Sequence, residues 1–381
     1  MHEIFNLEKL YSAYLACRRG KRKTIDALKF EWDLERNLFL LEKELLSKKY
    51  RPGRSLCFVV TEPVIREIIA SGFRDRVVQH LLISEIELMG EKAFVFDSFS
   101  CRKGKGTHFG VGRLRKHLTR IGQGACCAQL DISGFFMSID QNVLYSLVKK
   151  LIAKKKKSVR WKKEILWLAR VIIFHNPTKN YVVKGDASLM ARVPRRKSLF
   201  YSGRRKGLPI GNHSSQFFAN LYLNELDQFV KRELKCRHYL RYVDDIAILE
   251  NSEEKLRVRR DQINDFLKRR MRLVLNLKKT KIQPVEKGVD FLGYFLKPDY
   301  TLVRRRVVKN FRSKLYGMER RLILGDRPDA ALSVVNSYFG HFLYADSFNL
   351  RRDFYYQLGE LRRMFSPEAD YSFLKARKLN Q

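Results

Sequence analysis

The chain has 381 residues, 45% of them hydrophobic and 31% charged, which is enough for two or three packed subdomains with a real core. Lysine and arginine number 77 against 40 acidic residues, and at a formal net charge of +37 a compact domain repels itself unless a polyanion neutralises it. That argues against a basic surface kept only for solubility, because such surfaces mix both signs, and it points to nucleic acid, where each neutralised phosphate releases a counterion.

No segment approaches the roughly 18 to 20 apolar residues of a membrane-spanning helix. The start, Met1-His2-Glu3-Ile4, lacks the basic and apolar regions of a signal peptide, so an intracellular location is expected. Cys17, Cys57, Cys101, Cys126, Cys127 and Cys236 show neither a C-x-x-C pair nor a zinc spacing and read as small buried hydrophobes in a reducing compartment.

Residues 1 to about 50 are predicted helical, with Leu34, Leu38, Leu41 and Leu45 on one face. Residues 56–70 carry two β-branched runs separated by Pro63 and read as a hairpin. A helix follows whose apolar face is Val78, Leu82, Ile86 and Met89. Residues 100–113 form a Gly-rich basic loop running into a helix. It lacks the Gly-Lys-Ser/Thr of a P-loop, but its amides, lysines and arginines suit a nucleic-acid strand. Residues 128–131 make a short apolar strand ending in an acid, and a helix starts near Gln141. The lysines at 154–157, with Arg160, Lys162 and Lys163, form a solvated face, and residues 176–206 an irregular basic insertion. Ser214 is expected to cap a helix whose inner face is Phe218, Tyr222, Leu226 and Phe229. At residues 238–249 two apolar strands flank a two-residue Asp244-Asp245 turn. A helix over 253–271, a strand at 273–275, a tight hairpin at Phe291-Leu-Gly-Tyr294 and helices from about Asn310 to the end complete the pattern.

An isolated Asp-Asp in a hairpin is ordinarily just turn chemistry. Here the pair sits where two buried strands meet, beside Tyr242, Val243 and Ile246, and adjacent like charges near a core cost free energy unless a cation shares them. A third acid, Asp131, ends a separate apolar strand, and the loop Gly207-Leu-Pro-Ile-Gly211 can bring backbone close to a ligand. Hard carboxylate oxygens on converging strands suit Mg²⁺, and two such ions about 4 Å apart can activate a primer 3′-hydroxyl and stabilise leaving pyrophosphate. Asp131 and Asp244 are the expected bridging ligands, with Asp245 their partner.

Arg241-Tyr-Val-Asp-Asp245 resembles the Tyr-x-Asp-Asp signature of reverse transcriptases. The resemblance runs in order over residues 50 to 350. Ile65-Arg66-Glu-Ile through Phe73-Arg-Asp-Arg-Val-Val-Gln79 is similar to the fingers motif of group II intron enzymes, and Asp97-Ser-Phe-Ser-Cys-Arg102 to the next. Leu130-Asp-Ile-Ser-Gly-Phe-Phe136 is similar to the first catalytic motif, while Leu273-Val-Leu-Asn-Leu-Lys-Lys-Thr280 and Phe291-Leu-Gly-Tyr294 resemble the two that follow the hairpin. The implied fold is an α+β right-hand polymerase. A helical extension at 1–50 would precede fingers and palm at 51–300, the palm an antiparallel sheet backed by helices, with a helical thumb at 301–381. The resemblance places two Mg²⁺ (Mn²⁺ as a substitute) at Asp131, Ile132, Asp244 and Asp245, and the nucleotide at Arg66, Phe136, Ile210, Gly211 and Lys279. Arg66 would grip the triphosphate, Phe136 would clash with a 2′-hydroxyl, and Lys279 would protonate or shield the pyrophosphate.

Gly207-Leu-Pro-Ile-Gly-Asn-His-Ser-Ser-Gln216 departs from the common pattern, because Ile210 stands where most reverse transcriptases have Gln. This form resembles the reverse transcriptases of diversity-generating retroelements, as do Asp131-Ile-Ser-Gly-Phe-Phe-Met-Ser138 and Ser337-Tyr-Phe-Gly-His-Phe-Leu-Tyr-Ala-Asp-Ser347. Those cytoplasmic bacterial or phage-encoded enzymes copy a structured template RNA from dNTPs with frequent errors at adenines. The likeness therefore implies a cDNA/RNA hybrid and a small basic accessory protein as partners. A retron or phage-defence reverse transcriptase is the alternative within the family, and a catalytically inactive RNA-binding protein the alternative outside it. No ribonuclease H, zinc-finger or endonuclease pattern is present, so nucleic-acid cutting is expected from elsewhere.

Overall fold

The computed structural model describes residues 3–62, 64–323 and 328–377. Pro63 and the Met1-His2 start lie outside the described residues. Along the chain come α1 (Leu7–Arg18), α2 (Ile25–Trp32), α3 (Leu34–Leu46), β1 (Ser55–Val60), β2 (Arg66–Ser71), α4 (Phe73–Ala93), α5 (Thr107–Ile121), β3 (Cys126–Leu130) and α6 (Phe135–Ser138). Next are α7 (Gln141–Ala153), α8 (Val159–Ile173), β4 (Tyr181–Val183), α9 (His213–Gln228), β5 (His238–Tyr242), β6 (Asp245–Glu250), α10 (Glu253–Phe266) and β7 (Lys281–Pro284). The remainder is β8 (Val289–Phe291), β9 (Tyr294–Leu296), β10 (Thr301–Val303), α11 (Arg305–Ile323), α12 (Pro328–Phe342), α13 (Phe348–Tyr356), α14 (Leu361–Met364), β11 (Phe365–Pro367) and β12 (Leu374–Ala376). The class is α+β, and one four-stranded sheet runs in the order β5-β6-β3-β7.

The chain forms two compact units. The first comprises Met1–Gly104, Gln129–Ile246 and Val258–Thr280. Its hub is α4, which packs against α1, α2 and α9 and is therefore buried on several faces, through Val77, Val78, Leu81, Leu82, Ile83 and Ile86. Each such side chain contributes about 1.5–3 kcal/mol by leaving water. A Cβ on Gly90 of α4 would stand 2.6 Å from the Phe217 ring of α9, so the two helices approach there at a distance only glycine allows. The helix starts follow capping chemistry: Asn6, Asp140 and Ser158 accept from the amides of the first turns of α1, α7 and α8. β1 and β2 pair antiparallel from Ser55↔Ser71 to Val60↔Arg66, the expected hairpin, and β4 adds in parallel to β1.

The second unit comprises Lys105–Ala128, Ala247–Arg257 and Lys281–Gln381. Its core is aromatic: Phe311, Phe339, Phe342 and Phe354 are all but fully buried, and the Phe311 and Phe354 rings meet edge to face at 4.7 Å. β8 and β9 form the expected tight hairpin, whose turn residues Leu292 and Gly293 both have positive φ (50° and 93°).

Several expectations need correction. Asn212, not Ser214, stands at the N-cap of α9; Ser214 lies inside the helix and donates to Gln79 Oε1 at 3.1 Å. The expected strand at 273–275 reduces to a single bridge, Ile132↔Leu275. α8 follows the lysine run unannounced, because its apolar face (Trp161, Ile165, Leu168) is interrupted by the cations read as solvated. The end of the chain is not wholly helical, since β11 and β12 pair antiparallel. Asn336 of α12 fixes them by donating to the Leu374 carbonyl at 2.9 Å and accepting from its amide at 2.8 Å. All six cysteines are free thiols and all but Cys101 are buried. No helix among the described residues is long and apolar enough to cross a membrane.

Candidate active site

The hairpin turn is Val243-Asp244, one residue earlier than expected, and Asp245 opens β6. Val243 has φ 53°, a conformation that a β-branched residue adopts only when its surroundings impose it. Arg241 imposes it. Its guanidinium is 1% exposed and forks onto Asp227, Nε to Oδ1 and Nη2 to Oδ2, both at 2.7 Å. The same group donates to Asn220 Oδ1 (3.3 Å), Ser98 Oγ (3.2 Å) and the Val243 carbonyl (3.0 Å). The main chain of Arg241 bonds to Asp97 O and Phe99 N, so the motif Asp97–Arg102 serves as a brace beneath the turn. Arg102 is buried there and donates to the Val95 and Ser98 carbonyls. The signature hairpin thus rests on a desolvated ion pair reaching to α9, and Asp227, which no motif flagged, is one half of it.

Asp131 follows β3 directly. Its carbonyl accepts from Asn276 N at 2.7 Å, and its Oδ2 accepts from Asn276 Nδ2 at 3.0 Å. Ser133 N donates to Val274 O at 2.9 Å, so residues 131–133 and 274–276 are zipped around the Ile132↔Leu275 bridge. Lys279 leaves the turn after Asn276 and sets its Nζ 3.1 Å from Asp131 Oδ2. Asn276 lies within the Leu273–Thr280 motif, but nothing in that motif's spacing shows that it holds Asp131.

Asp244 is half-buried and Asp245 exposed. Burial, then the Asp245 and Asp131 charges, raise the Asp244 carboxyl to about 7, with Lys279 opposing them. Among the described residues, no group of three or more His, Cys, Asp or Glu side chains is already gathered as a metal-ligand set. The donor chemistry nevertheless fits a hard divalent cation: carboxylate oxygens, one of them disfavoured as an anion by burial and its neighbours, and, next to Asp131 in the chain, the main-chain carbonyl of Ile132, whose apolar side chain is buried. The cation on Asp131 in this structure is the Lys279 ammonium.

Phe136 lies in α6, half-buried, its ring edge to face with Phe135 at 5.4 Å. Leu208 N donates to the Phe136 carbonyl at 2.8 Å and Ile69 N to the Ile210 carbonyl at 2.8 Å, so the loop 207–211 is stitched between α6 and β2. Phe136 and Ile210 pack against one apolar cluster of Cys57, Ile69, Met137 and Leu199. Gly211 has φ 123°, and a Cβ there would stand 2.8 Å from Ile68 Cγ2, so glycine is required on both counts. Arg66 opens β2 and is exposed. In the second unit, His108 of the Gly-rich segment stacks on Tyr344 of the Ser337–Ser347 motif at 3.5 Å.

Residues 65–296, more than half of the chain, match the family model for reverse transcriptase (RNA-dependent DNA polymerase). Every candidate residue named above for metal or nucleotide falls inside that span. Protein YkfC of Escherichia coli (strain K12) is 23% identical over 295 residues, covering 68% of this chain and 71% of that protein. Among solved structures, apo telomerase from Candida tropicalis is similar with a TM-score of 0.48 and 13% identity, over 76% of this chain and 52% of that one. Telomerase from Candida albicans in complex with the TWJ fragment of telomeric RNA gives a TM-score of 0.48 and 14% identity, over 83% and 56%. The chain therefore spans little more than half the length of these telomerase chains, and the family match, not these distant likenesses, carries the assignment.

Proposed function

This chain belongs to the reverse transcriptase family, and from that premise we propose that it synthesises DNA on an RNA template, with Asp131, Asp244 and Asp245 as its catalytic carboxylates. The observation that carries the reading is electrostatic. Three acids are held where Asp244 is raised to about 7 by burial, Asp245 and Asp131, so near neutral pH the arrangement favours taking up positive charge, as a proton or as a cation. In this reading Asp131, Asp244, Asp245 and the Ile132 carbonyl would hold Mg²⁺, which would supply Lewis-acid stabilisation of the negative charge that develops in phosphoryl transfer. Residues 51–300 act as fingers and palm, 301–381 as thumb, and 1–50 as an N-terminal extension.

The protein's own groups do the positioning. The Arg241–Asp227 brace fixes the height of Asp244 through Val243. Asn276 orients the Asp131 carboxylate. Lys279 neutralises Asp131 until substrate arrives, and its ammonium is then placed to shield the leaving pyrophosphate. Arg66 grips the triphosphate. Phe136, braced by Phe135, lies under the sugar and excludes a 2′-hydroxyl. Gly211 brings backbone against the nascent pair, and Ile210 offers that pair shape without a hydrogen bond.

That last substitution supports the narrower proposal of an error-prone enzyme of a diversity-generating retroelement, working in the cytoplasm on a structured RNA with a small basic accessory protein. The test is primer extension on an RNA template with dNTPs or rNTPs. Incorporation of dNTPs alone is expected, and none under any template condition would favour an inactive RNA-binding protein. Sequencing the RNA that copurifies, and any cDNA joined to it, tests the retroelement reading against the retron one: errors concentrated at template adenines are expected, and their absence would count against the retroelement.

A further inference from the structure

The basic insertion at 176–206 has one stretch tied down on two sides. Ser198 Oγ donates to Glu67 Oε2 at 2.7 Å and Leu199 N to Glu67 Oε1 at 3.0 Å. Glu67 is 3% exposed in β2, next to Arg66. Burial pushes its carboxyl up, and these two bonds pull it back. On the other side, the 3-10 turn Arg195–Lys197 packs on α6. The Arg196 carbonyl oxygen lies 2.8 Å from where a Cβ on Gly134 would stand, three residues after Asp131. With φ 52° as well, Gly134 leaves room for this turn and for nothing larger.

Lys197 is thereby half-buried between the strand of Arg66 and the loop of Asp131. Burial lowers its ammonium, and Lys279, Arg196 and Arg66 lower it further, while Asp131 pulls it up. Lys197 thus feels three cations, Lys279, Arg196 and Arg66, against one carboxylate, Asp131, which already pairs with Lys279. Positive charge is therefore in surplus around Lys197 itself, and a polyanion entering beside it would compensate that surplus.

We propose that Lys197, docked by Glu67 and by the glycine gap at residue 134, contacts the polyphosphate of the incoming nucleotide alongside Arg66 and Lys279. The inference rests on the nucleotide site proposed above. It makes the insertion part of that site rather than a solvated loop. Lys197 contributes charge and hydrogen-bond donors, with no covalent step of its own.

Two measurements on the full chain test it. The first is calorimetric titration with inorganic tripolyphosphate at low salt, comparing wild type with Lys197→Ala, Lys197→Met, Lys197→Arg and Lys179→Ala, the last an exposed lysine elsewhere in the insertion. Removing one charge-assisted contact should weaken binding about tenfold in Lys197→Ala and Lys197→Met, while Lys197→Arg and Lys179→Ala stay within about threefold. The second is the KM for dNTP in primer extension, which should rise about tenfold in the same two variants. Tripolyphosphate affinity and KM both within about twofold of wild type, in a variant with an unchanged melting temperature, would overturn the proposal. Lys197-dependent tripolyphosphate binding in a wild type that extends no primer would uphold the anion site and sink the polymerase reading instead.

Discussion

Asp244 ionises against its surroundings, and that has consequences for stability as well as chemistry. Its folded carboxyl titrates at about 7, because of burial and the Asp245 and Asp131 charges, whereas an unfolded aspartate titrates near 3.9. A folded value above the unfolded one means that its contribution is fully present below pH about 4 and is lost as pH rises to about 7. In metal-free buffer the melting temperature of wild type should therefore fall over that window relative to Asp244→Asn, and Mg²⁺ at pH 8 should stabilise wild type more than the variant. Parallel pH profiles would contradict this account of Asp244. Phe136 and Ile210 pack against one apolar cluster that contains none of the three acids. Phe136→Ala should admit ribonucleotides in primer extension, and unchanged sugar discrimination would remove Phe136 from the sugar pocket. Ile210→Gln should lower the error frequency in sequenced cDNA, and an identical error spectrum would remove Ile210 from fidelity.

At the scale of elements, the β5–β6 turn shows what was legible and what was not. Apolar runs on either side of two acids announced the hairpin, and the 3.6-residue spacing of Val78, Leu82, Ile86 and Met89 announced α4. The turn register was missed by one residue because Asp is a favoured turn residue and Val in a left-handed conformation is not. The winning interaction comes from Asp227, on a different element, and no local pattern reports it. Glu67 was likewise invisible. It reads as an ordinary strand residue until Ser198, far along the chain, closes on it. Breaking the buried Arg241–Asp227 pair from one side leaves an uncompensated charge, so Asp227→Asn should cost about 3–5 kcal/mol in urea denaturation. A loss under about 1 kcal/mol would mean that the brace is not what holds Val243.

For the whole molecule, the charge of +37 and the ordered series of motifs were the most legible signals, because both are sums over many residues and survive local misreadings. The family match over residues 65–296 bears out the reverse transcriptase resemblance at that level. The charge also sets an expectation for binding. With roughly 6–10 phosphate contacts, RNA affinity should fall by at least about 10³-fold between 50 and 200 mM salt. A salt-independent affinity measured by filter binding would assign the basic surface another purpose.

The central claim is that Asp131, Asp244 and Asp245 form a carboxylate site that drives DNA synthesis on RNA. Single-turnover extension of a DNA primer on an RNA template, with and without Mg²⁺, tests it most directly when wild type is compared with Asp244→Asn. Wild type should add dNTPs in a metal-dependent way, and Asp244→Asn should lose on the order of a thousandfold, the size of several kcal/mol of charge stabilisation. Extension by Asp244→Asn at the wild-type rate would contradict it.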